Sequence, residues 1–228
     1  MRDIRPKAMD LKENNSILQD IIVDSLDATT IETKLVQDIN KKNPNIDIKQ
    51  IKKAINLIKK YHAKQTRKSG EHFYTHPLIV TDILLQFTSD EDTLLSSLLH
   101  DIVEDTSMTL STIEAIFNPT VAKLVNGVTK FEQDRNKLNL SQHENIQKLT
   151  EQEDARVLMI KIADRIHNMR TITYHDSYEK QNKIAEQTLL FYIPIAKQLG
   201  LSQAVIELQK LVFEVLNKQH GTTKCSEG

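Results

Sequence analysis

Residues 97 to 106 read SLLHDIVEDT, directly after Leu94, Leu95 and Ser96. Leu98, Leu99, Ile102 and Val103 continue the apolar run, yet His100, Asp101, Glu104 and Asp105 are set into it. A helix apolar over so much of its circumference belongs in a core. An unpaired carboxylate there costs several kcal/mol, so it is paired or bound to a metal. At about 100° per residue His100 nearly aligns with Glu104 and Asp101 with Asp105. A single helix would then carry all four on an arc of about 140°. A solvated polar face ending an amphipathic helix is the ordinary explanation of such a pattern; the flanking Leu, Ile and Val favour one inward destination.

A second segment breaks the burial rule in the same way. In RVLMIKIADRIHNMRT, residues 156 to 171, the apolar positions leave little polar face, yet Asp164 lies in the middle. Asn168 and Thr171 share its stripe at helical spacing. Lys161, Arg165 and Arg170 each offer Asp164 an ordinary ion pair, but two apolar helices with inward carboxylates point to one shared cation. EHFYTHP adds His76, held at a helix start by Pro77. A lone histidine there is more often structural. With His100, Asp101 and Asp164 it makes a mixed imidazole and carboxylate set, which suits Mn, Fe, Co, Ni or Zn better than Ca without choosing among them. Four protein ligands on an octahedral ion would leave positions for water and substrate, as catalysis needs. The preceding TRKSG sets Arg67, Lys68 and Ser69 where they suit phosphate; a solvated basic loop is the plainer account.

The rest of the chain supports a helical frame. Gly and Pro number only 5 each in 228 residues and Trp is absent, which argues against a turn-rich β fold. A formal charge of -1 gives no electrostatic reason to bind a nucleic acid polymer. The single Cys225 fits a reducing compartment. No apolar stretch approaches the roughly 20 residues of a membrane span, and the N-terminus lacks a signal-peptide h-region. A cytoplasmic protein without membrane partners is expected, and nothing in the residues sets an oligomeric state.

Residues 1–45 read as a partly helical extension, with short helices around ILQDIIVDSL and TKLVQDI before the boundary NKKNPNID. Residues 46–218 read as the main domain and 219–228 as a flexible tail. Helices are expected over 48–62, from Pro77 to about Phe87, through the SLLHDIVEDT segment, and over 111–117 and 119–128. Four more follow over about 142–150, 154–172, 177–199 and 201–217, with Gly200 as a C-cap. FEQDRNKLNLS, residues 131–141, reads as a mobile loop. No strand alternation is long enough to count, so the expected class is all-α.

The blocks YHAKQTRKSGEHFYTHP, LLHDIVEDTSMTL, VAKLVNGVTK, KIADRIHNMRT and EKQNKIAEQTLLFYIPIAKQLGL resemble, in collinear order over about residues 50 to 217, the hydrolase domain of RelA/SpoT-type (p)ppGpp enzymes. That domain belongs to the HD phosphohydrolase superfamily, so the resemblance implies an HD-domain helical bundle with a buried metal site. It also implies a Mn²⁺-dependent pyrophosphohydrolase that removes the 3′-diphosphate of ppGpp and pppGpp, leaving GDP or GTP, in the stringent response. By the matching positions, His76, His100, Asp101 and Asp164 would ligate the metal. Glu104 and Asp105 would orient the attacking water or move its proton, Glu104 more directly. Arg67, Lys68 and Ser69 would form the nucleotide-contacting loop, with Arg67 stacked on guanine and Lys68 offsetting phosphate charge. Asn168 and Thr171 would be further contacts.

Tyr174 departs from the family, standing where an aliphatic residue is expected near the base pocket. The long bifunctional members continue into a synthetase domain, whereas ELQKLVFEVLNK, residues 207–218, looks like the helix leading out of the hydrolase domain. Hydrolysis without synthesis is therefore expected of this chain. Two other readings share these residues: the same machinery acting on another nucleotide, for example as an NADPH phosphatase, and a non-catalytic fragment or regulatory module. Against the latter, all four ligand positions and both acidic residues are present.

Overall fold

The helices begin where short polar side chains can cap them. In the computed structural model, which describes residues 27–137, 153–175 and 177–217, Asp27, Asp47, Asp90, Thr109, Asn118, Asp154 and Ser177 each accept a hydrogen bond from a backbone N–H of the turn that follows. Such caps satisfy donors that the helix cannot. They open α1 (Ala28–Lys42), α2 (Ile48–Tyr61), α4 (Glu91–Leu98), α6 (Leu110–Ile116), α7 (Pro119–Lys137), α8 (Ala155–Arg170) and α9 (Tyr178–Gln187). α3 (Thr75–Leu84), the one-turn α5 (Ile102–Asp105), α10 (Ile193–Gln198) and α11 (Ser202–Asn217) complete the α-helices of the described residues. Among the described residues there is no strand, only an isolated antiparallel bridge between Thr66 and His72. The class is all-α, as expected.

The architecture is centred on α3 and α8, which pack against each other more extensively than any other pair. Both are buried nearly all round: in α3 only Asp82 stands out of the core, and in α8 even Lys161, Asp164, Arg165 and His167 are buried. Around them, α1 and α4 cover α3, while α7 and α11 cover α8. α1 contributes Ile31, Leu35 and Ile39 to the same core, and α2 contributes Ile51, Ala54, Ile55 and Ile58. α7 approaches α8 closely at Gly127, where an added Cβ would stand 2.8 Å from Val157 Cγ2.

Several boundaries differ from the sequence reading. The helix expected around TKLVQDI starts earlier, at the Asp27 cap, and the one expected around ILQDIIVDSL lies outside the described residues. α7 runs past Val128 to Lys137, so the first part of the segment expected as a loop is helical. Phe131 anchors it, fully buried against Phe191 with ring centroids 5.8 Å apart. Residues 138–141 and the helix expected over 142–150 lie outside the described residues.

The helix expected over 177–199 is three pieces, α9, a π-helical turn Thr188–Tyr192 and α10. Pro194 has no N–H to offer the preceding turn, and the backbone widens there, with the Ile193 N–H donating to the Thr188 carbonyl. Gly200 does end α10: at φ +69° it donates to the Lys197 carbonyl while Leu201 donates to that of Ala196. That pair of bonds is a Schellman cap.

Candidate metal centre

The correction with most bearing on the site concerns SLLHDIVEDT. It is not one helix. α4 ends at Leu98, and Leu99, His100 and Asp101 form a turn before α5 begins at Ile102. The Leu99 N–H reaches back to Leu95 and Ser96, and the Ile102 N–H to Leu99 at 3.1 Å. Apolar anchors on both sides, Leu98, Leu99 and Ile102, hold this turn in the core. His100 is thereby buried at 0% exposure, Asp101 is partly buried, and Glu104 and Asp105 emerge into solvent. The 100° periodicity set these four residues on one helix and so merged two environments that the turn separates.

His76 enters from the first turn of α3, only 3% exposed. Its Nε2 lies 3.4 Å from Asp101 Oδ2 and 3.3 Å from Asp164 Oδ1. His100 Nε2 lies 3.1 Å from Asp101 Oδ1. One donor atom from each of His76, His100 and Asp101 falls within 4.8 Å of the others. Ligand atoms about 2.0–2.2 Å from one ion stand at most about 4.4 Å apart, so small side-chain adjustments suffice. Asp164 stands at the edge of this compact trio and is held by two donors of its own helix. Asn168 Nδ2 donates to its Oδ1 at 2.7 Å, and Lys161 Nζ to its Oδ2 at 3.2 Å.

The protonation pattern fits a cation site. Burial opposes charge on His100, but the Asp101 and Asp164 carboxylates outweigh it and lift the imidazole to about 9. Burial likewise works against charge on Asp101, yet His100 and His76 hold it at about 2. Asp164 is pressed well below the usual carboxylate range: burial opposes this, and Lys161, His76 and His100 overcome it. His76 is pushed down chiefly by its burial. In the absence of a metal, His100 thus takes a proton between two ionised carboxylates. Its Nδ1 already donates to the Ser97 carbonyl at 2.7 Å, which leaves Nε2 as the nitrogen that faces Asp101. These residues fit a divalent metal ion, with imidazole and carboxylate donors of the kind such ions take.

The rim is built differently. The Arg67 carbonyl accepts from Gly70 at 3.0 Å and the Arg67 N–H donates to Glu71 at 2.9 Å, closing a tight turn with Gly70 at φ +94°. Side chains other than glycine rarely adopt that conformation. Arg67 is half-buried, 3.5 Å by Nη2 from Thr171 Oγ1 and 3.6 Å by Nε from Glu71. Burial lowers the affinity of its guanidinium for the proton, while Glu71, Asp164 and Asp101 support the charge. The described contacts join Arg67, but not Lys68 or Ser69, to the rest of the site; Lys68 is exposed on the turn. Gln65 links this loop to α5, donating to the Asp105 carbonyl at 3.0 Å and meeting His62 Nδ1 at 2.6 Å. Desolvation raises both Glu104 and Asp105, with Asp101 adding repulsion.

Of the positions expected from the sequence, the structure brings together His76, His100, Asp101, Asp164 and Asn168, with Arg67 and Thr171 beside them. Tyr174 ends a 3₁₀ turn, Ile172–Tyr174, just beyond, and is exposed. Two contributors were missed. Lys161 was read only as an ordinary ion-pair partner of Asp164, although it is buried and aimed into the site. His167 was not singled out at all: only 2% exposed, it meets His76 Nδ1 through its own Nδ1 at 2.7 Å. A polar ring in an otherwise apolar helix, three residues after Asp164, was the available signal.

Comparison with known proteins agrees with this fold. The model of a family described as HD domain matches residues 54–202. A "GTP pyrophosphokinase" of Myxococcus xanthus is 41% identical over 187 residues, 79% of this chain and 25% of that protein. One of Streptomyces coelicolor is 41% identical over 188 residues, covering 80% and 22% respectively. "GTP pyrophosphokinase rsh" of Brucella ovis is 37% identical over 187 residues, covering 81% and 25%. The chain thus spans about a quarter of the length of these relatives. A solved structure described as "A metazoan ortholog of SpoT hydrolyzes ppGpp and plays a role in starvation responses" shares the fold. Its TM-score is 0.50 at 24% identity, over 75% of this chain and 96% of that one. With the HD domain model matching residues 54–202 and the same region matched by relatives of RelA/SpoT type, the chain belongs to the HD domain family.

Proposed function

We propose that this chain hydrolyses ppGpp and pppGpp at the 3′-diphosphate, releasing pyrophosphate and leaving GDP or GTP, with Mn²⁺ held by His76, His100, Asp101 and Asp164. The observation that carries the reading is the buried trio His76, His100 and Asp101, with Asp164 3.3 Å from His76, inside an HD domain. Relatives named for GTP chemistry, and a structural neighbour described as a SpoT ortholog that hydrolyses ppGpp, support a guanine nucleotide as the substrate class. A divalent ion held by these side chains would lower the pKa of bound water and polarise a phosphoryl oxygen.

The chain's own residues then divide the work. Glu104, whose proton affinity is raised by burial, takes a proton as water attacks the phosphorus attached to the 3′-oxygen. The 3′-oxygen–phosphorus bond breaks, its electron pair stays on the ribose oxygen, and solvent returns a proton there. Asp105 beside it orients the water. Arg67 stacks on guanine, Lys68 offsets phosphate charge and Ser69 donates to phosphate, while Asn168 and Thr171 complete the pocket wall. Lys161 keeps Asp164 ionised and fixed. The catalytic domain runs over residues 46–218, with residues 1–45 as an extension and 219–228 as a tail, and the protein acts in the cytoplasm as part of the stringent response.

Purified protein incubated with ppGpp tests the reading. Mn²⁺-dependent release of pyrophosphate and GDP, absent from an Asp101→Ala variant, is the expected result. No release by folded, Mn²⁺-loaded protein contradicts it, and turnover of NADPH to NADH and phosphate under the same conditions would transfer the chemistry to another nucleotide.

A further inference from the structure

We propose that His167 is a positioning residue for the metal ligand His76, acting by accepting a hydrogen bond that fixes the tautomer of the His76 ring. The inference rests on the metal site proposed above and extends it to a side chain outside the ligand set.

The argument is one of proton placement. His76 points Nε2 at Asp101 and Asp164, at 3.4 and 3.3 Å. For that nitrogen to ligate a cation, it must present a lone pair, so the ring proton of His76 must sit on Nδ1. The hydrogen-bond partner of Nδ1 in the structure is His167 Nδ1, at 2.7 Å. Two neutral imidazoles facing each other through Nδ1 share one proton between those atoms, so there are two arrangements. If His167 donates, His76 carries its proton on Nε2 and the ligand lone pair is lost. If His76 donates, Nε2 is free for metal, and His167 carries its proton on its own Nε2. Metal binding selects the second.

Three features point to a role for the His167 ring. His167 is only 2% exposed and lies edge to edge with His76, ring centroids 4.9 Å apart and planes tilted by 32°, so its ring has little room to turn away. Its Nε2 has no hydrogen-bond partner among the described residues. An apolar side chain would fill the position without stranding a polar atom, so a structural role alone does not account for a histidine. His100 shows the same device with a different acceptor: its Nδ1 donates to the Ser97 carbonyl, leaving Nε2 for the site. One ligand ring is thus oriented by a backbone carbonyl and the other by a second histidine. Partners of this kind hold ligand rings in place and typically change metal affinity 10–100-fold when removed.

The test compares wild type, His167→Phe and His167→Asn. Phenylalanine keeps a flat ring but cannot accept the bond, whereas the Asn Oδ1 can stand where Nδ1 stood. Mn²⁺ affinity is read from the electron paramagnetic resonance signal of free Mn²⁺, and folding from circular dichroism without metal. The expected result is Mn²⁺ binding weakened about 10–100-fold in His167→Phe, with His167→Asn restored to within about threefold of wild type. As a measurement needing no variant, ¹⁵N–¹H correlation spectra of the Zn²⁺-loaded wild type should show His76 protonated on Nδ1 and His167 on Nε2. Wild-type affinity in His167→Phe, failure of Asn to restore binding in a folded protein, or His76 protonated on Nε2 in the Zn²⁺-loaded state would each overturn the proposal while leaving the metal site intact. Wild-type protein that binds neither Mn²⁺ nor Zn²⁺ would overturn the metal site and this inference together.

Discussion

His100 has no exposed surface, whereas Glu104, one turn further along the same stretch, stands in solvent. The contrast extends across the whole site. Its floor, His76, His100, Asp101 and Asp164, is set into α3, the α4–α5 turn and α8, and each of these side chains is held by a neighbour in the core. Its rim, Arg67 to Gly70 with Glu104 and Asp105, is made of a tight turn and one exposed helical turn. A floor of this kind is organised before substrate arrives, at the cost of burying charge that must stay paired. The rim stands closer to solvent, with Lys68, Glu104 and Asp105 exposed. Changes in the floor should therefore register as lost metal affinity, and changes in the rim as altered turnover or KM on a protein of unchanged stability.

The harshest way to break this division is Asp101→Ala. It removes a ligand and the partner of His100, and should lower turnover at least ~10³-fold, the several kcal/mol of charge stabilisation expected of a bound metal. Mn²⁺ titration should show the affinity lost with it. On the rim, Glu104→Gln should lower kcat by about 10²–10⁴-fold, the usual contribution of a general base. Mn²⁺ affinity and Tm should stay close to wild type. A large loss of metal affinity in Glu104→Gln would merge rim with floor. Arg67→Lys keeps the charge but loses the planar stacking surface, and steady-state kinetics should show KM for ppGpp raised about tenfold with little change in kcat.

Two smaller effects sharpen the comparison further. Gly127→Ala forces a methyl to 2.8 Å from Val157 where α7 supports α8. Overpacking by a methyl costs about 1–3 kcal/mol, and the gain of up to about 1 kcal/mol in helix propensity offsets part of it. A net loss near 1 kcal/mol is expected from urea unfolding. The metal-free floor should also make stability depend on pH. The proton on His100, held up to about 9, contributes stability fully below pH 6.5 that disappears as the pH rises through 9. Asp101, held at about 2, contributes above pH 3.8 and loses that contribution as the pH falls through 2. Metal-free protein should thus be most stable between about pH 4 and 6.5 and weaken toward pH 9, while added Mn²⁺, which displaces the His100 proton, should bind more tightly over that same rise. Urea melts at pH 5, 7 and 9 with and without Mn²⁺ check both.

Much of this was legible in the sequence because the signals were local. The spacing of Ile51, Ala54, Ile55 and Ile58 marks α2, and Gly200 marks the end of α10. Charged residues inside apolar runs marked the floor, since burial without a partner is expensive wherever the run folds. The failures came where backbone hydrogen bonding overrides periodicity. The turn at Leu99–Asp101 and the π-helical turn before Pro194 look helical by side-chain pattern, but their carbonyls and N–H groups are paired differently. α7 extends because Phe131 finds a buried place beside Phe191, a contact 60 residues away that no window of sequence contains. His167 was hidden for a related reason: its partner, His76, belongs to another helix 91 residues earlier.

The central claim is that His76, His100, Asp101 and Asp164 form one divalent-ion site. A crystal grown with Mn²⁺, with anomalous diffraction measured at the manganese edge, tests it most directly. The account predicts one strong anomalous peak within coordinating distance of His76 Nε2, His100 Nε2 and carboxylate oxygens of Asp101 and Asp164. Crystals of folded protein at saturating Mn²⁺ with no peak among these side chains, or with the ion only on the rim at Glu104 and Asp105, would contradict it.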